Sequence, residues 1–360
     1  MNMAPAEQVS VGGTSRMASL PGLTSTMVER LKREVPELAE HVEAQVLVGG
    51  RSNLTFLLTG AGGDRFVLRR PPLGRMLASA HDMAREWSYI SALQDTPVPV
   101  AAGRFLCTDP AVSEAPFYVM EYVDGCVLEQ PDDAVALGME ARRTVGLAVI
   151  DTLAVLHAVD PVTVGLATPE RAASKSYIRR QLDRWRRQIA AVDVAEAAQL
   201  VALAEDLGRQ VPAERTGIAH GDYRLGNLSV SSDGRVLAIF DWELATVGDT
   251  MADLGWLISS WAEPGDTDFR PISDAPSAAP GFATRAELVA RYAALAGVLP
   301  GSLPYYEAFA RWRMACITVG VRHRYQSGAM GADGFDPSGL TGKLGDLIAT
   351  ARDMLTEAGR

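Results

Sequence analysis

HGDYRLGNLSV, residues 220–230, sets a histidine, an aspartate, an arginine and an asparagine within eight positions and then runs into an apolar segment. Fourteen residues beyond Asn227 a second acidic spot appears, at Asp241 and Glu243 in VLAIFDWELA. Phosphoryl transfer to a hydroxyl asks for magnesium ligands, cations around the phosphates, and a carboxylate to orient or accept the hydroxyl proton. Magnesium is a hard cation that prefers oxygen, so an Asp carboxylate with an Asn carbonyl makes a partial shell that water and phosphate complete. Asp222, Asn227 and Asp241 offer those oxygens, and the two stretches read as halves of one magnesium-and-phosphate site.

The rest of the chain is consistent with that chemistry. Its 360 residues exceed what one hydrophobic core usually serves, so two lobes with a cleft between them are expected. Hydrophobic residues make up 48% and charged residues 22%, ordinary for a globular protein. A net charge of -10 and a pI near 5.1 argue against nucleic acid or an anionic membrane as a general partner. Cys107, Cys126 and Cys316 stand far apart without a CxxC and read as buried thiols of a reducing compartment. Residues 1–20 lack the apolar core of a signal peptide, and VGLAVIDTLAVL is interrupted by Asp151 and too short to span a bilayer. A cytoplasmic location is expected; oligomeric state is not legible.

Residues 1–22 are small and polar and read as a flexible tail. Thr26 with Glu29 forms a capping box and predicts a helix start there. The period then changes: EAQVLVGG, NLTFLLTG and DRFVLRR predict strands of an antiparallel meander. Ser79 and Asp82 start another helix with Met83, Trp87, Ile90 and Leu93 on one face, and GRFLCT and PFYVMEYV predict two further strands. Past Asp124-Gly125 the composition turns helical, with segments near 136–160, 174–190 and 194–210. The domains are therefore a tail at 1–22, an N-lobe at 23–123 and a helical C-lobe at 124–360. The fold class is α+β: a small antiparallel sheet with one helix, followed by a larger helical lobe.

The spacing of Asp222 and Asn227 matches the kinase loop H-R-D-x-x-x-x-N, with Gly221 in place of the arginine. HGDYRLGN followed by IFDWE resembles the aminoglycoside phosphotransferase family, which has a bilobal protein-kinase-like fold. SNLTFLL, FVLRRPP, AREW and PFYVMEYVDG stand in the expected order, so the resemblance spans roughly residues 45–325. The wording of FVLRRPPLG, PFYVMEYVDG and HGDYRLGN is similar to one branch, the kinase-like domains related to those fused to acyl-CoA dehydrogenases. The resemblance implies ATP and Mg2+ as cofactors, with Asp222 as catalytic base, Asn227 and Asp241 as metal ligands and His220 as a brace for the loop. Arg224, two residues after the base, is placed to stabilise charge on the moving phosphoryl group. Glu243 is assigned to metal or substrate.

In FVLRRPP, alternation sets Val67 and Arg69 on one face of the strand. Arg69 falls where V-A-I-K carries its phosphate-binding lysine, and the guanidinium fork suits phosphate oxygens. Glu86, on the following helix, is its natural ion-pair partner. GGRSNLTF is not a GxGxxG loop, yet Ser52 and Asn53 with backbone N–H groups suit a phosphate cover. Met120, Glu121 and Val123 lie on the connection between lobes, where backbone groups bind adenine. GDTMADLGW follows Glu243 too closely for a peptide-docking activation segment, which disfavours protein substrates. Asp249 and Asp253 are expected to cap the next helix or brace the loop, and His157 to be a core residue at a helix end.

For the acceptor, SYIRRQLDRWRRQIA carries Arg179, Arg180, Arg184, Arg186 and Arg187, and Arg311, Arg313, Arg322 and Arg324 follow later. A solvated helical face is the ordinary reading of such runs. If residues such as Arg184 or Arg313 face the acceptor, it is anionic, whereas a polycationic aminoglycoside prefers carboxylates. The expected activity is O-phosphotransfer from ATP to a small anionic metabolite, a hydroxy acid or hydroxyacyl-CoA. The alternatives are an aminoglycoside or macrolide phosphotransferase and a nucleotide-binding pseudokinase.

Overall fold

The computed structural model describes residues 20–47, 53–73, 82–172, 176–192, 194–266, 275–297, 301–326 and 340–358. Most of the predicted tail, and Ser52, lie outside them. The chain divides into two compact units. The first comprises Met1–Cys126, Leu228–Ser231 and Val236–Ala245, and the second Val127–Asn227, Ser232–Arg235 and Thr246–Arg360.

The first unit begins with helix α1 (Ser25–Glu34). Its cap differs from the expected one. Thr24 keeps an extended backbone and its side chain accepts from the Met27 N–H at 3.2 Å, so Thr26 already lies inside the first turn. Strands β1 (Val42–Val46), β2 (Leu54–Gly60) and β3 (Arg65–Arg70) form the predicted meander. Helix α2 (Met83–Leu93) follows, capped by Asp82 through the Arg85 N–H at 3.1 Å. Strands β4 (Gly103–Cys107) and β5 (Phe117–Glu121) complete an antiparallel sheet in the order β1-β2-β3-β5-β4. Met27 and Leu31 of α1 bury against Phe56, Leu58, Phe66 and Leu68 of the sheet in one apolar core.

After β6 (Cys126–Val127) the chain becomes helical: α3 (Pro131–Val135), α4 (Met139–Ala158), α5 (Pro169–Ala172), α6 (Tyr177–Ala190) and α7 (Ala197–Arg209). The three long helices fall within the predicted windows. Strand β7 (Thr216–Ala219) leads into the polar loop, and β8 (Leu228–Val230) and β9 (Val236–Ile239) form an antiparallel pair beyond it. Strand β10 (Thr246–Asp249) returns antiparallel to β7. Helices α8 (Met251–Ser260), α9 (Arg285–Ala296), α10 (Leu303–Gln326) and α11 (Leu340–Ala358) complete the second unit. Every residue of α8 is buried, which explains why its sequence, MADLGWLISS, is apolar nearly all round. Among the described residues no helix is long and apolar enough to cross a membrane.

Candidate active site

In the second unit, β7 delivers its last residue directly to His220, which is fully buried. Gly221 then turns the chain at φ 85°, a left-handed conformation that L side chains adopt with strain. The turn is held by Asp253 on α8, whose two oxygens accept from the His220 N–H at 2.6 Å and the Gly221 N–H at 2.8 Å. Burial would raise the Asp253 carboxyl, but His157, His220 and the Gly221 N–H together hold it below its ordinary value. His157, buried at the end of α4, lies 3.5 Å from Asp253 through Nε2 and 2.8 Å from the Tyr292 hydroxyl through Nδ1. His220 Nδ1 accepts from the Asp222 N–H at 3.2 Å, so each residue entering the turn is fixed through its backbone.

That bracing leaves the Asp222 side chain partly exposed and available for chemistry. Asn227 Nδ2 donates to the Asp222 carbonyl and to Asp222 Oδ2, each at 2.8 Å. Spending the amide nitrogen this way leaves the Asn227 carbonyl oxygen as the group available to a cation. Arg224 Nε stands 3.4 Å from Asp222 Oδ2. Tyr223, between them in sequence, points the other way and donates to the Val149 carbonyl at 2.8 Å, which anchors the loop on α4.

The first unit holds the other half of the predicted constellation. Asp241 follows β9 and is the one non-glycine residue with positive φ, 67°, among the described residues. Its Oδ1 accepts from Arg69 Nη2 at 2.7 Å, and Arg69 Nη1 lies 3.5 Å from Glu86 Oε2. Tyr118, paired with Arg69 across the sheet, donates to the same Glu86 oxygen at 2.9 Å. Burial opposes the Arg69 charge, yet Tyr118, Glu86 and Asp241 hold its pKa above the ordinary value. Burial pushes the Glu86 carboxyl up, against the pull of Arg69. The strand, the helix and the loop thus share a single guanidinium.

Two supports for Asp241 escaped sequence reasoning. Arg85 donates to the backbone carbonyls of Glu243, at 3.2 Å, and Ala245, which clamps the turn after Asp241 from α2. Trp242 is buried, stacks on Tyr89 of α2 at 6.2 Å and 7°, and donates to the Ile239 carbonyl at 3.0 Å. AREW had signalled the helix carrying Glu86, but nothing in a single arginine's context tells which carbonyls it reaches.

The remaining predicted residues fall as follows. Asn53 is buried just before β2. Glu121 is exposed and pairs with Arg104 at 3.2 Å. The Val123 carbonyl accepts from the Gly125 N–H at 3.0 Å, and its own N–H has no partner among the described residues. Glu243 is half-buried. Arg184 is exposed on α6 beside Trp185, as a solvated face would be. Arg313, by contrast, is buried, with its guanidinium carbon 4.1 Å from the centre of the Trp256 ring. Arg322 is committed to Glu196 and Arg311 to Ser259 and Glu307.

Among the described residues no group of three or more His, Cys, Asp or Glu is gathered for a metal. Within the second unit the Asp222 carboxylate and the Asn227 amide oxygen are hard oxygen donors, and within the first unit the Asp241 carboxylate is another.

A family model described as the phosphotransferase enzyme family matches residues 43–297. Acyl-CoA dehydrogenase family member 10 of Mus musculus is 32% identical over 316 residues, 86% of this chain and 29% of its own length. Family member 11 of Gallus gallus is 31% identical over 296 residues, 79% of this chain and 37% of its own. The chain therefore spans about a third of the length of these relatives. A Ralstonia eutropha structure, provisionally named an aminoglycoside phosphotransferase, superposes with a TM-score of 0.76 at 28% identity, covering 92% of this chain and 98% of that one. The streptomycin-ATP-APH(2")-IIa ternary complex (TM-score 0.60, 14% identity, 93% and 99% covered) and Plasmodium vivax ethanolamine kinase (0.58, 13%, 92% and 86%) share the protein-kinase-like α+β fold.

Proposed function

Because the chain belongs to the phosphotransferase enzyme family, we propose that it is an ATP-dependent O-phosphotransferase acting on a hydroxyl of a small, anionic metabolite. The observation that carries this reading is the Asp222 loop. Asp253 and His220 fix its backbone, while the Asp222 carboxylate stays partly exposed beside the Asn227 amide. A loop built only for structure has no reason to leave that carboxylate accessible.

Asp222 orients the acceptor hydroxyl and takes its proton as the oxygen attacks the γ-phosphorus and ADP leaves. Arg69 cradles nucleotide phosphates, and Glu86 with Tyr118 keeps its fork in place. The free Val123 N–H and the neighbouring backbone meet the adenine edge. Asn53 covers the phosphates. Arg224 steadies negative charge on the phosphoryl group in flight. The oxygens that suit magnesium are the Asn227 amide oxygen and the Asp241 carboxylate, with Glu243 in reserve for metal or substrate. When bound, magnesium neutralises the β- and γ-phosphate charge.

Replacing Asp222 by Asn keeps the shape and removes the base. Turnover should fall by roughly 10²–10⁴-fold with ATP binding retained. A phosphorus NMR screen of hydroxy acids, acyl-CoA esters, amino sugars and macrolides reads the product directly. ATP bound but never transferred by the wild type would favour a pseudokinase. Antibiotic phosphorylation without transfer to any acid would favour the second reading, which the names of several fold neighbours support.

A further inference from the structure

We infer that Arg313 and Trp256 form the subsite that holds the acceptor's anionic group, a carboxylate or a phosphate; this deepens the proposed function and rests on it. Arg313 is 7% exposed, yet it makes no salt bridge or hydrogen bond among the described residues, and its Nε is sealed without an acceptor. Its two terminal nitrogens are not sealed in this way and carry no counter-ion among the described residues, so they remain open to a bound anion. The Trp256 Nε1–H, on the ring against which Arg313 packs, is also buried without a partner. Two orphaned donors side by side ask for the same thing, an acceptor group with several lone pairs.

The geometry favours an anion over a neutral oxygen. The guanidinium carbon stands 4.1 Å over the indole, which serves its charge but accepts no in-plane hydrogen bonds, so the N–H groups stay suited to grip a carboxylate or phosphate. The nearby carboxylates do not serve Arg313. Asp253 is taken by His157 and the His220 and Gly221 amides, and Asp249 by Tyr306, Arg215 and Met251. Trp256 also lies three residues beyond Asp253 on α8, so the two project from neighbouring positions of one helix face. The helix that braces the Asp222 loop therefore also carries the indole under Arg313. A cationic amino sugar would meet a buried positive charge here and be rejected.

The test compares acceptors with and without the anionic group: lactate and glycerate against their methyl esters, and glycerol phosphate against glycerol. The wild type should prefer the anionic member of each pair by roughly ten- to a hundredfold in kcat/KM, expressed mainly in KM. Arg313→Met, which keeps bulk against the indole, should erase that preference, and Arg313→Lys should restore part of it. The carboxylate and phosphate pairs report separately which anion the subsite takes. Equal selectivity in wild type and Arg313→Met would overturn the subsite while transfer itself upholds the proposed function. If the wild type transferred to no acceptor, that function would fail, and the subsite would stand or fall on whether lactate or inorganic phosphate changes tryptophan fluorescence in the wild type but not in Trp256→Phe.

Discussion

At the scale of single residues, each unit holds its candidate residues with a backbone conformation that side chains rarely tolerate. Gly221 at φ 85° lets its N–H and that of His220 reach the same Asp253 carboxylate. An alanine there should cost ~1–2 kcal/mol in the denaturation midpoint and reduce turnover further by tilting Asp222; an unaltered enzyme would show that the turn is not needed. Asp241 takes up the same region at φ 67° without being glycine, and such strain marks function when the surroundings enforce it. Asn tolerates that conformation, so Asp241→Asn should fold normally and lose roughly a hundredfold or more of its metal-dependent rate. Retained turnover would remove Asp241 from the chemistry. His220, Asp222, Asn227 and Asp241 stood out in the sequence because their types and spacing are chemically rare, and the structure sets the first three on one loop and Asp241 against Arg69. Arg313 was named among several arginines, and only burial separated it from Arg184: on a helix wheel both are simply basic.

At the scale of elements, pattern and composition located the five strands of the first sheet and α1, α2, α4, α6 and α7, but not α10 (Leu303–Gln326) or α11 (Leu340–Ala358), for which no helix was expected. The cap of helix α1 lies two residues before the predicted one, because Thr24 and Thr26 are equivalent in composition and differ only in backbone angle. Spacing along FVLRR and AREW anticipated the Arg69–Glu86 pair, but it carried no hint that Arg85 would turn to the Glu243 and Ala245 carbonyls. The packing of α8 was equally illegible. A Cβ at Gly255 would stand 2.5–2.8 Å from Tyr306 atoms that include its backbone carbonyl, so α8 and α10 approach as closely as only glycine allows. Gly255→Ala should therefore destabilise by about 1–3 kcal/mol in urea despite alanine's better helix propensity. Since Asp253 and Trp256 ride on the same helix, acceptor KM should rise with it. A more stable Gly255→Ala protein would mean that the two helices part without cost.

At the scale of the whole molecule, composition announced only an acidic globular chain, the kinase-like α+β class coming from the element pattern and the motif resemblance, and a buried acid gives the protein a pH signature. Burial lifts the Asp249 carboxyl from 3.8 to about 6, against the hydrogen bonds from Tyr306, Arg215 and Met251. Folding thus favours its neutral form. That contribution is complete below about pH 4 and is lost as pH rises through about 6. Asp249→Asn cannot ionise, so the Tm of the variant minus that of the wild type should climb across this window and level off above it. A flat difference would show that Asp249 ionises as readily in the native protein as in the unfolded chain.

The first unit takes in Leu228–Ser231 and Val236–Ala245, far along the chain from its other residues. Trp242, stacked on Tyr89, and Ile239, whose N–H donates to Pro99, belong to those late pieces. During synthesis, then, the sheet that carries Arg69 leaves the ribosome long before the segments that finish its own unit. The nascent chain must wait for Ala245 to emerge, and a premature stop anywhere before it leaves both halves of the enzyme unfinished together.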